Sequence, residues 1–132
     1  VRSSLLLIDI DHFKAVNDQH GHGVGDEVLT AFVDRLKPGL HAGDSIGRLG
    51  GEEFAILLPD RDINGASQLC EQLRARLADP IPVSGGKHVV ITFSAGLVEL
   101  DGSSTRSAML EAADKALYRA KHSGRNCFRL AA

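Results

Sequence analysis

The chain has 132 residues, with 15 Lys or Arg against 17 Asp or Glu, a formal net charge of -2. This length makes a single domain that buries roughly 70% of its unfolded surface in a core of its own, and the near balance of charge excludes a polyanion binder held by bulk charge. No apolar run approaches the ~20 residues of a membrane helix, no signal-peptide pattern opens the chain, and Cys70 and Cys127 form no C-x-x-C pair, which points to free thiols in a reducing, cytoplasmic setting.

The opening Leu5-Leu6-Leu7-Ile8 is continuously apolar and then meets Asp9, the pattern of a strand buried on both faces. Helical spacing starts near Asp11 and stops at Gly21-His22-Gly23. It resumes with Val24, Val28, Leu29, Phe32, Val33 and Leu36 on one face and ends at Pro38-Gly39. Residues 44–58 hold two strand-like runs around Gly50-Gly51, whose glycines supply the positive φ of a tight hairpin.

A further helix carries Ala66, Leu69, Cys70, Leu73 and Leu77 on one stripe and ends before Pro80, which makes Cys70 a small core residue. Ser84-Gly85-Gly86-Lys87 reads as a turn before one strand over 88–100, and the sequence allows a short strand at 80–83. Thr105 or Ser104 caps a last helix with Leu110, Ala113, Leu117 and Ala120 facing inward; Gly124 ends it and 127–130 closes as a strand. Strands and helices interleave, but the hairpin forces antiparallel neighbours. The expected fold is α+β: a central antiparallel-rich sheet flanked by helices, of the split-βαβ, ferredoxin-like kind, in one domain over 1–132.

Acidic residues stand where a strand makes them expensive. Asp9 ends an apolar strand, Asp11 follows it, and Glu52 and Glu53 come directly after the hairpin glycines. Carboxylates converging on one sheet edge repel, and a divalent cation relieves them; oxygen donors imply Mg²⁺ or Mn²⁺ and open positions imply a phosphate substrate. By spacing alone, Glu52 and Glu53 fit equally well as polar turn residues. The helix start at His12, Phe13 and Lys14 offers free amides and a charge to an anion. Lys121 and Arg125, at the end of the last helix, are either ordinary dipole complements or a second cationic group. No P-loop exists, Gly21-x-Gly23-x-Gly25 is no dinucleotide fingerprint, and His12, His20 and His22 lack the spacing of a zinc site.

Together these residues resemble a known family. Asp9-Ile10-Asp11-His12-Phe13-Lys14, Asn17-Asp18 and Gly21-His22-x-x-Gly25-Asp26 are similar to the opening of GGDEF domains. Arg48-Leu49-Gly50-Gly51-Glu52-Glu53-Phe54 resembles their signature loop in its GGEEF form. The ending Ala113-Asp114-x-Ala116-Leu117-Tyr118-x-Ala120-Lys121-x-x-Gly124-Arg125-Asn126 matches as well. The resemblance implies a diguanylate cyclase, which joins two GTP into cyclic di-GMP and releases two pyrophosphates, on a fold similar to the nucleotidyl cyclase and polymerase palm.

It further implies roles. Asp9, the Ile10 carbonyl and Glu52 are the expected ligands of two Mg²⁺ ions per half-site, with Mn²⁺ as a substitute. Glu52 is the expected base for the 3′-hydroxyl, and Glu53 is the weaker candidate beside it. The amides of His12 and Phe13, with Lys14, Lys121 and Arg125, are the expected phosphate contacts. Asn17 and Asp26, with His22 nearby, would read the base: a buried Asp26 carboxylate would accept both N1–H and N2–H of guanine and find only a lone pair on adenine N1. Family members that also take ATP carry Ser at the place of Asp26, so the resemblance implies a guanine-only enzyme.

Turnover is expected to need an antiparallel homodimer, each domain holding one GTP, with no nucleic-acid partner and no membrane contact by this domain. The chain begins without the family's D-x-L-T-x-L-x-N-R-R segment and so reads as trimmed at its N-terminus, from a parent that could be membrane-anchored. The family's product-binding R-x-x-D reads His41-Ala42-Gly43-Asp44 here, so no tight product-inhibition site is expected. The alternative function is a catalytically silent module that senses GTP.

Overall fold

The computed structural model describes residues 2–131. In chain order its elements are β1 (Ser3–Ile10), α1 (Phe13–His20), α2 (His22–Leu36), a 3-10 turn (Lys37–Gly39), β2 (Ser45–Gly50), β3 (Glu53–Leu58), α3 (Ile63–Ala75), β4 (Ile81–Val83), β5 (Lys87–Val89), β6 (Phe93–Leu100), α4 (Arg106–His122) and β7 (Phe128–Leu130). The main sheet runs β2-β3-β1-β6-β7, and β4 with β5 forms a separate hairpin. The apolar β1 is therefore central, paired antiparallel with both β3 and β6. Among the described residues, only β6 to β7, joined through α4, is parallel, as a crossover helix requires. The expected α+β sheet flanked by helices is the fold found.

Alternation along the strands sorts two cores. Leu6, Ile8 and Ile10 of β1 join Phe54, Ile56, Phe93 and Ala95 beneath α2 and α3, where Phe32, Leu36, Leu69, Cys70 and Leu73 close over them. Phe32 meets Phe54 at 4.9 Å and Phe93 edge-on at 6.1 Å. Leu7 and Val98 face the other way, onto Ala113 and Leu117 of α4. That odd-numbered face of β1 ends in Asp9. Gly96 lets α4 lie directly on β6: a Cβ there would stand 2.5 Å from Leu117 N and closer still to Ala113 O. Asp62 caps α3 through Gly65 N at 2.8 Å, and Thr105, not Ser104, caps α4 through Ala108 N at 3.1 Å.

Three expectations are corrected. The strand expected over 88–100 is two strands in different sheets, because Gly85 and Gly86, both at positive φ, fold β5 back on β4. The ladder resumes only after Thr92, whose carbonyl takes the Asp11 N–H. Leu110 is exposed; the buried stripe of α4 is Met109, Ala113, Ala116, Leu117 and Ala120, the i, i+4, i+7 spacing set by a helix that starts at Arg106. In the signature hairpin only Gly51 has positive φ, at 52°, while Gly50 belongs to β2 and pairs with Glu53 across a register shift. Among the described residues, no helix is long and apolar enough to cross a membrane.

Candidate active site

The central strand delivers the first group. Asp9 lies at the end of β1, only 6% exposed, opposite Glu53 on one side and Ser94 on the other. Directly paired residues share a face, so Asp9 and Glu53 place like charges side by side. Glu52 sits in the hairpin connection, where its carbonyl accepts the Ile10 N–H at 3.2 Å. Burial raises the Asp9 carboxyl above its ordinary value of 3.8; the hydrogen bond and charge of Lys121 pull it down, and Glu52 and Asp11 push it up again. Burial wins. Lys121, from the last turn of α4, donates to Asp9 Oδ2.

The second group is the opening of α1. His12 adopts a left-handed conformation (φ 56°) at the N-cap, which turns the chain from strand to helix. The amides of His12, Phe13 and Lys14 come before the first intrahelical bonds, in which His12 O accepts from Ala15 N and Val16 N. No acidic residue stands in that turn to compete for an anion. The Lys14 side chain is at the surface, 2.8 Å from Asp18 one turn on, and this partner raises its pKa.

Asn17 and Asp26 lie at the junction of α1 and α2. Gly25 is buried, and an added Cβ would overlap Asn17 Oδ1 and stand 3.3 Å from Phe13 Cζ, so bare backbone is what receives the Asn17 side chain. Asp26 is exposed, as is His22. The expectation of a buried Asp26 is therefore corrected: it is the neighbour Gly25 that turns inward, and the carboxylate of Asp26 points outward from α2.

Lys121 and Arg125 close the other side. Arg125 is exposed, at φ 60°, with Nη1 3.4 Å from Lys121 O. The structure thus brings Asp9, Glu52, Glu53 and Lys121 to one end of the sheet. It leaves Lys14 in a surface pair of its own. His41 and Asp44 lie elsewhere, in a turn where Asp44 Oδ2 accepts the His41 N–H at 2.8 Å. The Asp44 carboxylate faces inward to Arg61 at 3.7 Å, with its side chain 6% exposed. Among the described residues, no three His, Cys, Asp or Glu side chains gather as a metal-holding group.

Two carboxylates and a backbone carbonyl are what remain for a cation: Asp9, Glu52 and Ile10. They fit a hard divalent ion with open positions. All are oxygen donors, and burial beside like charges favours a positive partner at Asp9, a place that Lys121 fills here. Sequence reasoning missed the residues that hold this frame. Thr92, Ser94 and Asn126 bind Asp11, and Arg74 binds Asn126. The signal available was the polar pair Thr92 and Ser94 at the head of an apolar strand.

Comparison with known proteins bears on the family and the fold. The family model described as "Diguanylate cyclase, GGDEF domain" matches residues 1–127. The chain is 44% identical over 122 residues to the diguanylate cyclase DgcP of Pseudomonas aeruginosa, covering 92% of this chain and 18% of DgcP. The crystal structure of the GGDEF domain of YfiN (TpbB) from Pseudomonas aeruginosa superimposes with a TM-score of 0.94 at 36% identity, covering 99% of this chain and 83% of that one. The GGDEF domain of DgcB from Caulobacter crescentus, solved in complex with c-di-GMP, gives 0.93 at 30% identity, covering 99% and 76%. The chain spans 18–36% of the length of the curated relatives it matches. A match over nearly its whole length, in sequence and in fold, makes this chain a member of the GGDEF domain family.

Proposed function

We propose that this domain is a diguanylate cyclase, joining two GTP into cyclic di-GMP with release of two pyrophosphates. The observation that carries the reading is the gathering of Asp9 and Glu52 at one sheet end, beside the free amides of α1 and the cation Lys121. Carboxylates alone would repel a nucleotide. Carboxylates with an anion-binding helix end and a lysine suit a metal-bound triphosphate.

Two Mg²⁺ ions, or Mn²⁺ in their place, would be held by Asp9, Glu52 and the Ile10 carbonyl, and would acidify the 3′-hydroxyl and offset charge on the phosphates. Glu52 accepts the 3′-hydroxyl proton. The amides of His12 and Phe13 bind phosphate oxygens along the α1 axis, and Lys121 and Arg125 neutralise the leaving pyrophosphate. Lys14 reaches the phosphates by giving up Asp18. Asn17, held against Gly25, and Asp26, with His22 beside them, accept and donate along the guanine edge.

The product is two-fold symmetric, with two identical 3′–5′ bonds. One domain presents one such site, so two domains facing each other antiparallel supply both halves. The test is specific activity with GTP and Mg²⁺ as protein concentration rises. Activity that climbs with concentration, with cyclic di-GMP identified by mass, supports the reading. Tight GTP binding with no product at any concentration would establish a silent GTP-sensing module instead.

A further inference from the structure

Asp11 is the buried acid that this chemistry does not use. It is 6% exposed, and among the described residues no Lys, Arg or His pairs with it. Three neutral donors hold it instead. Ser94 Oγ donates to Oδ1 at 2.7 Å, Thr92 Oγ1 to Oδ2 at 2.6 Å, and the Asn126 N–H to Oδ2 at 2.9 Å. A buried carboxylate is tolerated when its oxygens are filled this way. Two of the donors come from the head of β6; the third comes from the loop beyond α4, 115 residues away in sequence.

That loop is conformationally expensive. Gly124, Arg125 and Asn126 all have positive φ, at 104°, 60° and 46°. Two consecutive non-glycine residues in the left-handed region persist only when their surroundings impose it. Asn126 is gripped from both sides. Asp11 takes its N–H, and Arg74 of α3 donates from Nη2 to its Oδ1 at 3.0 Å and also to its carbonyl. Arg74 is in turn fixed by Glu71 at 2.6 and 2.8 Å.

We infer that Asp11 is a positioning residue that locks the 124–126 loop, and so the guanidinium of Arg125, at a set place relative to Asp9. Asp9 and Asp11 flank Ile10, the last residue of β1. A single backbone therefore carries the metal-facing carboxylate and, two residues on, the anchor of the phosphate-facing cation. The role of Arg125 at phosphate rests on the cyclase reading; the locking of the loop does not.

The experiment combines nucleotide binding with amide exchange. Affinity is measured for a GTP analogue with a methylene between the α and β phosphorus, in Mg²⁺, for wild type, Asp11→Asn, Arg125→Ala and the double variant. Asp11→Asn is expected to weaken binding about tenfold, the loss of one charge-assisted contact, and the double variant to bind no more weakly than Arg125→Ala. A purely structural acid gives losses that multiply, and that result overturns the inference. In the wild type, the Asn126 amide should exchange at least about tenfold more slowly than that of Gly124. Equal rates overturn the inference even if Asp11→Asn does not fold. A wild type that fails to bind the analogue sinks the cyclase reading, while the exchange rates still decide the anchoring.

Discussion

Lys121 and Asp9, 112 residues apart, meet at a carboxylate that burial holds above its ordinary pKa. The protein thus brings its own cation to the place where a metal is proposed. The Lys121 side chain is 31% exposed and that of Asp9 is 9% exposed, so the pair lies between a surface bridge and a buried one. Lys121→Met is expected to lower stability by about 1–2 kcal/mol in metal-free buffer, with Mg²⁺ recovering part of the loss. Scanning calorimetry with and without Mg²⁺ reads this. An unchanged melting temperature in metal-free buffer contradicts it.

The pH dependence at Asp9 has a definite sign. Its folded pKa is raised above 3.8, so between that value and the raised one the native state binds more protons than the unfolded state. Stability from this group is complete below the unfolded pKa and is lost as pH rises through the folded one. Asp9→Asn should therefore melt higher than wild type at neutral pH in metal-free buffer. The gain should shrink as pH falls from the raised value toward the ordinary one, and be gone below it. The same variant should lose the stabilisation that Mg²⁺ gives the wild type. Melting curves across pH test all three, and a variant that melts lower at neutral pH contradicts the account.

Gly25→Ala tests the base site without touching a charged group. The added methyl displaces the Asn17 side chain, whose amide is free to swing away, while Phe13 must yield a few tenths of an ångström. GTP affinity should fall about tenfold, the scale of one or two lost hydrogen bonds, with the fold retained. Titration calorimetry reads the first and circular dichroism the second. Unchanged affinity would mean that Asn17 does not contact the nucleotide.

Gly96→Ala should do the opposite, destroying the fold. Its methyl meets the backbone of α4 at Ala113 and Leu117, which no side-chain rotation relieves. The cost should exceed about 4 kcal/mol, seen as insolubility or a non-cooperative melt. A cooperative melt near that of wild type would show that α4 can lift off β6.

Much of this architecture is legible in the sequence because burial writes it in residue type. The apolar run before Asp9, the stripe on α2 and the glycine pair at the hairpin each demand one element. What was illegible is long-range. Nothing local in residues 88–100 says that β5 turns back on β4 while β6 enters the main sheet, because either half suits a strand. Leu110 and Met109 are equally apolar, and the phase of α4, which starts at Arg106 and lays Ala113 and Leu117 on the sheet, decides which is buried. At the site, Asp9, Glu52 and Lys121 could be named from motif, but their meeting depends on strand register. Asp26 looked like a buried acid because its role wants one, and the helix turned it outward. Asp11 stands out in the sequence as costly, yet its three donors come from two distant places, the head of β6 and the loop beyond α4.

Glu52 is where the central claim is most exposed. It accepts the 3′-hydroxyl proton and holds metal in the proposed reaction, yet it sits in a hairpin connection where an isosteric amide should cost under about 1 kcal/mol of stability. The decisive measurement compares wild type and Glu52→Gln, each fused to a dimerising segment, by cyclic di-GMP formed and pyrophosphate released from GTP and Mg²⁺. The account predicts two pyrophosphates per cyclic di-GMP in the wild type. It predicts activity lowered by at least about 100-fold in the variant at an unchanged melting temperature. Activity of Glu52→Gln within about threefold of wild type, far short of the loss expected for an essential base and metal ligand, would contradict it.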